Sequence, residues 1–122
     1  GIIDGIPSEK ACRGKIRKPV VILTRPFGYR KKDSGIALSK IIYRNFPKVK
    51  EMIKNKASVY NKQLELTENL EKENKVFVIR PSEAMQVSRT DKNKEKIKNA
   101  YIYGYETMKK EEKRLKTWLS SH

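Results

Sequence analysis

Two arginines stand before prolines at the ends of two apolar runs, and they are the first candidates for chemistry in this chain. Arg25 follows the apolar residues 20–23 after one threonine, and Arg80 follows residues 76–79 directly. Proline ends a strand and keeps the residue before it extended. In open parallel sheets, ligands bind beyond the carboxyl ends of the strands. The pattern therefore predicts that Arg25 and Arg80 lie at a functional edge, where they are candidate contacts for an anion.

A basic loop with two aromatic residues follows Arg25. Its members of interest are Phe27, Tyr29, Arg30, Lys31 and Lys32. Aromatic rings suit a membrane interface, and each lysine or arginine near an anionic lipid surface contributes about 1 kcal/mol. The loop is therefore a candidate contact for lipid headgroups. The alternative is a solvated loop in which Arg25 is bonded to a backbone carbonyl.

Few side chains in this chain suit enzyme catalysis or metal binding. Cys12 is the only cysteine and the terminal His122 is the only histidine. Neither a Ser-His-Asp triad nor a Cys-His pair can be built from the chain alone. A single thiol excludes an internal disulfide and a cysteine metal cluster, and it fits a reducing compartment. We interpret Cys12 as a small core residue and expect neither a metal nor a cofactor.

The chain is strongly basic, with 29 Lys and Arg against 14 Asp and Glu, for a formal charge of +15. Such a charge is typical of proteins that bind nucleic acid or an anionic membrane surface, but it also arises on a lysine-rich surface without a partner. No nucleic-acid recognition motif occurs and the lysines are scattered, so the solvated surface is favoured. No apolar run approaches the ~20 residues that span a bilayer. The expected location is the cytoplasm, with peripheral membrane contact as an option.

The elements that must position these residues predict an α/β fold. Strands are expected at 19–24 and 76–79, buried on both faces as in a parallel sheet. Helical spacing predicts helices at 9–13, from 36 to 46, from 49 to 57, from 60 to 73, and a long one after residue 91. The 122 residues fit a single domain, with 1–90 as the end of an α/β core and 91–122 as the C-terminal helix.

Local signals predict where the helices end. The residues expected at helix ends are Ser8 and Gly14 for the first helix, Asn74 for the third long helix, and Thr90 or Asp91 for the last. The last helix carries an apolar stripe of Ile97, Tyr101, Gly104, Tyr105, Met108, Leu115 and Trp118. Because glycine costs about 0.8–1 kcal/mol in a helix interior, Gly104 is expected to allow the close approach of another backbone. The tyrosines at 101, 103 and 105 are expected in the core and at its rim.

Two strands alone make an incomplete sheet. A parallel pair leaves hydrogen-bonding edges exposed on both sides, which proteins normally cover. We therefore expect the sheet to continue in an upstream part of the same protein. Without that part, the uncovered strand edge is expected to lead to self-association.

The first residues, Gly1-Ile2-Ile3-Asp4-Gly5-Ile6-Pro7, resemble the stretch that follows the catalytic aspartate in bacterial patatin-like phospholipases. In that family an Asp-Gly-Gly or Asp-Gly-Ala triplet is followed by two apolar residues, an acidic or amide residue, a small residue, an apolar residue and proline. Gly1 then matches the last residue of the triplet, Asp4 the downstream acid, and Pro7 the end of the motif. Residues 20–32, the strand that ends in Arg80, and the last helix are also similar.

The resemblance implies a fragment of a three-layer α/β sandwich and acyl-ester hydrolysis, commonly of lipids, by a Ser-Asp dyad. The serine of that family lies in Gly-x-Ser-x-Gly near a glycine-rich oxyanion loop, and neither motif occurs here. On the favoured alignment, the catalytic aspartate lies two positions before Gly1. A second alignment makes Asp4 that aspartate, but it places Ile6 where glycine or alanine belongs. The chain is therefore expected to be the catalytically incomplete C-terminal portion of such a hydrolase.

Overall fold

A computed structural model describes residues 5–14, 16–32, 40–88 and 90–121, and these form a mixed α/β protein. The elements are α1 (Ser8–Arg13), β1 (Val20–Ile22), α2 (Pro47–Lys72), β2 (Phe77–Ile79) and α3 (Lys94–Ser120). Residues 40–42 are also helical, whereas the start of the helix predicted from residue 36 lies outside the described residues. The chain divides into two compact units, Gly1–Arg17 with Arg30–Asn74 and Lys18–Tyr29 with Lys75–His122. The predicted α/β class is confirmed.

In the second unit, β1 and β2 form a parallel two-stranded sheet. Val20 pairs with Phe77 and Ile22 pairs with Ile79. Every residue of β2 is buried, as predicted from its continuous apolar run. The same prediction is wrong for β1, because Val20 and Ile22 are exposed. An apolar run indicates that a strand is suited to burial on both faces. Whether the strand is buried depends on which other elements pack against it.

The C-terminal end of α3 covers β2. Trp118 is buried against Phe77 and Ile79, with Leu115 packed beside them. The rings of Phe77 and Trp118 lie 5.7 Å apart at an angle of 51°, a tilted arrangement that aromatic pairs favour. The ammonium group of Lys18 donates to the carbonyl oxygen of Leu119, where a cation complements the negative end of the helix dipole.

The N-terminal half of α3 presents its apolar stripe to solvent. Ile97, Tyr101, Tyr105 and Met108 are all exposed. Apart from the adjacent backbone of α3 itself, no atom lies within 4 Å of the position that a Cβ atom on Gly104 would occupy. The predicted close backbone approach at Gly104 is therefore wrong for the described residues. Tyr101 and Tyr105 are not core residues, whereas Tyr103 is half-buried.

The first unit is built on α2, which runs without a break from Pro47 to Lys72. The two separate helices predicted at 49–57 and 60–73 are wrong, because no proline or glycine interrupts residues 48–72. The end of the helix is as predicted. Asn74 has φ = 58°, and asparagine adopts this left-handed conformation more readily than most residues.

The N-terminal segment packs against α2 through polar contacts. The Gln63 side-chain oxygen accepts hydrogen bonds from the amides of Gly5 (3.2 Å) and Ile6 (3.1 Å). Ser8 does not cap α1, whose N-cap is Pro7 without a side-chain bond; its hydroxyl lies 2.8 Å from that of Thr67 on α2 instead. Gly14 follows α1 with φ = −81° and ψ = −172°, so the predicted left-handed end is wrong.

Asn93 caps α3, in place of the predicted Thr90 or Asp91. Its side-chain oxygen accepts from the amides of Glu95 (3.0 Å) and Lys96 (3.2 Å). The Asp91 carboxylate accepts from the Asn93 amide at 3.0 Å, which fixes the turn that leads into the cap. Among the helices in the described part of the chain, none has the length and apolar character needed to cross a membrane.

Candidate functional site

The parallel sheet brings the two predicted arginines to one edge. The Leu23 amide donates to the Ile79 carbonyl at 2.8 Å, so β1 and β2 end side by side. Arg25 follows two residues after Leu23, and Arg80 is the first residue after β2. Both arginines therefore lie beyond the carboxyl ends of the strands, where open parallel sheets bind ligands.

A tight turn after β1 positions two aromatic rings beside these arginines. The Tyr29 amide donates to the Pro26 carbonyl at 3.2 Å, and Gly28 has φ = +77°. Pro26 is thus the first residue of the turn and Gly28 the third, the position where a type II turn requires a positive φ, and glycine adopts it without strain. The turn places Phe27 at its tip, where the side chain is 66% exposed.

Each arginine stacks on one of the rings. The Arg25 guanidinium carbon lies 4.9 Å from the centre of the Tyr29 ring, and that of Arg80 lies 5.1 Å from the centre of the Phe27 ring. Stacking on a ring face leaves the N–H groups at the rim of a guanidinium directed sideways, where they can donate to a planar oxyanion. The edge thus combines cationic donors with an exposed apolar ring. That combination suits an amphiphilic anion.

Arg30 and Lys31 have a different role from the one predicted for the basic loop. The two terminal nitrogens of Arg30 donate to the two oxygens of Glu68, at 3.1 and 2.9 Å. This bidentate bond raises the pKa of Arg30. The Asn61 side chain binds both the amide and the carbonyl of Lys31, at 2.7 and 3.0 Å. Asn61 and Glu68 are seven residues apart on one face of α2, so they hold this segment in the first unit.

The other predicted site residues that the structure describes, Pro7, Lys31 and Lys32, lie in the first unit. Lys31 also places its ammonium nitrogen 5.6 Å from the centre of the Tyr60 ring, and Lys32 is exposed. Pro7 lies at the N-cap of α1. Gly1 and Asp4 lie outside the described residues. Within the described ranges, no three His, Cys, Asp or Glu side chains are arranged to hold a metal ion.

A second feature of the second unit is a cleft of about 250 Å³ between the loop after β2 and α3. Met85, Val87 and Tyr103 contribute to its walls. The hydroxyl of Tyr103 accepts from the Ser82 amide at 3.1 Å and lies 2.8 Å from the Ser82 hydroxyl. These bonds to Ser82 lower the pKa of Tyr103.

Three residues that form long-range polar contacts were not predicted from the sequence. Glu68, Asn61 and Ser82 bond residues that are 38, 30 and 21 positions away in the chain. One signal was available for the first two, namely their spacing of seven residues on one helix face. No local pattern marks Ser82 as the partner of Tyr103.

Comparison with known proteins gives one family match. Residues 46–120 match the model of a domain of unknown function, DUF6363. The match begins at Phe46, the residue before α2, and ends at Ser120, the last residue of α3. It therefore contains α2, β2 and α3, whereas β1 and the Phe27 turn precede it. No curated protein and no solved structure matches the chain.

Proposed function

We propose a function for a chain that belongs to the DUF6363 family of domains of unknown function: it is the C-terminal structural part of a patatin-like serine acyl hydrolase. In this proposal the sheet of β1 and β2 is a fragment of a three-layer α/β sandwich. The nucleophilic serine and the catalytic aspartate belong to sequence upstream of Gly1. The chain by itself is then catalytically incomplete.

The observation that carries the proposal is the resemblance of residues 1–7 and 20–32 to the patatin-like family. Both segments lie outside the family match at 46–120, whereas the strand before Arg80 and the last helix, which are also similar to the patatin-like family, lie within it. The parallel pairing of β1 with β2 supports the proposal, because the family's sheet is part of an α/β sandwich. Support also comes from the exposed residues of β1, which are apolar and suited to a larger sheet.

The proposed chemistry divides the work between two parts of one protein. In the resembled family, the serine attacks the ester carbonyl and the aspartate serves as the base, without a histidine. This chain has no Gly-x-Ser-x-Gly motif to supply such a serine. Its contribution is structural: β1 and β2 extend the sheet, and Arg25 and Arg80 lie at the carboxyl edge, where ligands of such sheets bind.

The 122-residue chain is expected to show no hydrolysis of p-nitrophenyl butyrate above the buffer rate, because it lacks the nucleophile. The measurement is release of p-nitrophenol at 405 nm by the purified chain and by a longer protein that includes the native upstream sequence. The longer protein is expected to hydrolyse the ester.

Two variants make this experiment decisive. Asp4→Asn tests the second alignment, and Asp91→Asn is its matched control, because Asp91 serves the turn before α3. Hydrolysis by the chain alone that Asp4→Asn abolishes and Asp91→Asn retains would make Asp4 a catalytic base and contradict the proposal. Absence of hydrolysis by the longer protein would also count against it.

Contact with an anionic lipid surface is a second candidate function, and it is compatible with the first. The observation that favours it is the exposed Phe27 ring at the tip of the turn, with Arg25 and Arg80 stacked beside it. An exposed aromatic ring can enter the interface while the guanidinium groups meet headgroup phosphates.

The chain is expected to sediment with vesicles that contain phosphatidylglycerol and to remain in solution with neutral phosphatidylcholine vesicles. Arg25→Ala is expected to weaken binding about fivefold, since one such contact is worth about 1 kcal/mol. Phe27→Ala is expected to weaken it as well. Arg44→Ala, which removes an exposed charge elsewhere, is the control for net charge. Equal binding to both vesicle types, or an equal loss for Arg44→Ala, would contradict a specific lipid contact.

A further inference from the structure

The backbone of β1 uses only one of its two edges within the described residues. The Pro19 carbonyl accepts from the Phe77 amide at 3.1 Å, and the Leu23 amide donates to the Ile79 carbonyl at 2.8 Å. Backbone groups alternate in direction along a strand, so residues 19, 21 and 23 face β2. The amides and carbonyls of Val20 and Ile22 therefore lie along the opposite edge.

The face of β1 next to the hydrophobic core is bare. Directly paired residues in a parallel sheet project to the same side, so Val20 and Ile22 share a face with Phe77 and Ile79. Trp118 covers that face over β2. Over β1 it is open, because Val20 is 39% and Ile22 is 71% exposed. Two apolar, β-branched side chains thus lie in solvent beside a packed core.

Among the described residues, β1 therefore has the character of an interior strand, but no strand pairs with its outer edge. An edge strand is normally protected by a charge, a proline or a bulge in the strand, and residues 20–22 contain only Val-Val-Ile in regular pairing. An added strand would satisfy the free amides and carbonyls of Val20 and Ile22. The same element would shield their side chains from water.

The charges around β1 argue against a second copy of this chain as that neighbour. Arg17 and Lys18 precede β1, and Arg25 follows it. If Val20 of one copy paired antiparallel with Ile22 of another, Arg17 would stand opposite Arg25. Like charges directly opposite each other destabilise a strand pair, and each copy carries a charge of +15. The charges instead favour an apolar strand that is flanked by acidic residues.

We propose that the free edge of β1 receives an extended strand from the part of the same protein upstream of Gly1, and that this strand and its connection bury Val20 and Ile22. The inference rests on the proposed function, because it takes the partner strand from the upstream part of the hydrolase. It goes further by naming the edge, the two residues that are buried and the character of the incoming strand.

Amide hydrogen exchange, resolved by residue with NMR, tests the edge directly. In the 122-residue chain, the Val20 and Ile22 amides are expected to exchange fast, while those of Val21 and Leu23 are protected by β2. In the longer protein with the native upstream sequence, exchange at Val20 and Ile22 is expected to slow by roughly 100-fold or more. Unchanged fast exchange at both residues in the longer protein would overturn the inference.

A matched pair of substitutions tests the same edge through its backbone. Ile22→Pro removes the outward amide without touching the bonds to β2, and proline is tolerated where a strand's N–H faces outward. Ile22→Thr keeps the amide and the β-branched shape. Both variants of the 122-residue chain are expected to keep the Trp118 fluorescence of the original. In the longer protein, only Ile22→Pro is expected to lose the slow exchange at Val20; equal effects of the two variants would overturn the inference.

The outcomes separate this inference from the proposed function. Slow exchange at Val20 and Ile22 in a longer protein without esterase activity would support the strand addition and contradict the hydrolase. Esterase activity with fast exchange at both amides would support the hydrolase and contradict the strand addition. Protection of Val20 and Ile22 in the longer protein that grows with its concentration would identify a second copy as the occupant, and it would overturn the inference.

Discussion

A Trp118→Ala variant is expected to lose about 3–5 kcal/mol of its free energy of unfolding. Trp118 is 8% exposed and packs on Phe77 and Ile79, with Leu115 beside it. Removing the indole takes away the largest member of this small cluster and leaves a cavity that a three-residue strand cannot easily fill. Since single domains are stable by about 5–15 kcal/mol, the second unit is expected to be largely unfolded in this variant at moderate urea concentration.

The measurement is urea unfolding followed by far-ultraviolet circular dichroism, because Trp118 is the only tryptophan and the variant has no indole fluorescence. Leu119→Ala is the matched control, because Leu119 is the next residue on α3 and is 42% exposed. It is expected to cost less than about 1 kcal/mol. A similar cost for both variants would mean that the contact between Trp118 and Phe77 does not hold the second unit together.

The sequence was sufficient to predict the two strands, because both are short apolar runs closed by proline. It also predicted that Arg25 and Arg80 share an edge, since the carboxyl ends of parallel strands do so by geometry. It did not predict that β1 is exposed. Burial depends on which elements lie against a strand, and the residues of β1 are as apolar as those of β2.

The predicted helix ends were likewise right where local residues decide them and wrong where contacts with other segments decide them. The left-handed end of α2 at Asn74 is a local property, and the sequence predicted it. The helix breaks between 57 and 60 and the cap at Thr90 or Asp91 were wrong for a different reason. Several residues in each region satisfy the local preference equally well, and packing or a competing turn decides among them. Ser8 illustrates this, because a good capping residue bonds Thr67 instead.

The candidate site was predicted only as far as single segments allow. The basic loop was correctly expected to follow β1, but its cations do not act together. Arg30 forms an ion pair with Glu68, which lies 38 positions away in the chain. No pattern within the loop indicates this ion pair. The two stacked arginines, Arg25 and Arg80, lie outside the loop's contacts with α2, at the carboxyl ends of the strands. Their stacking partners, Phe27 and Tyr29, come from the same turn because Gly28 permits it.

The buried pair of hydroxyl groups between α1 and α2 gives the second large expected effect. Ser8 is 2% and Thr67 is 0% exposed, and their oxygens lie 2.8 Å apart. Because Thr67 donates its proton to the Gln63 carbonyl at 2.7 Å, Ser8 must be the donor to Thr67. Thr67→Val keeps the shape but removes the acceptor. It is expected to cost about 1–3 kcal/mol, since it leaves a buried hydroxyl donor without a partner.

The double variant separates the bond from the packing around it. Ser8→Ala alone is expected to cost about 0.5–1.5 kcal/mol, because Thr67 keeps its bond to Gln63. Adding Ser8→Ala to Thr67→Val removes the stranded donor, so the double variant is expected to be no less stable than Thr67→Val alone. Urea unfolding of the four proteins measures the coupling. Thr117→Val is the control, as its exposed hydroxyl makes the same kind of bond to Lys113 at 3.0 Å. Additive costs in the cycle would mean that Ser8 and Thr67 contribute through packing and not through their hydrogen bond.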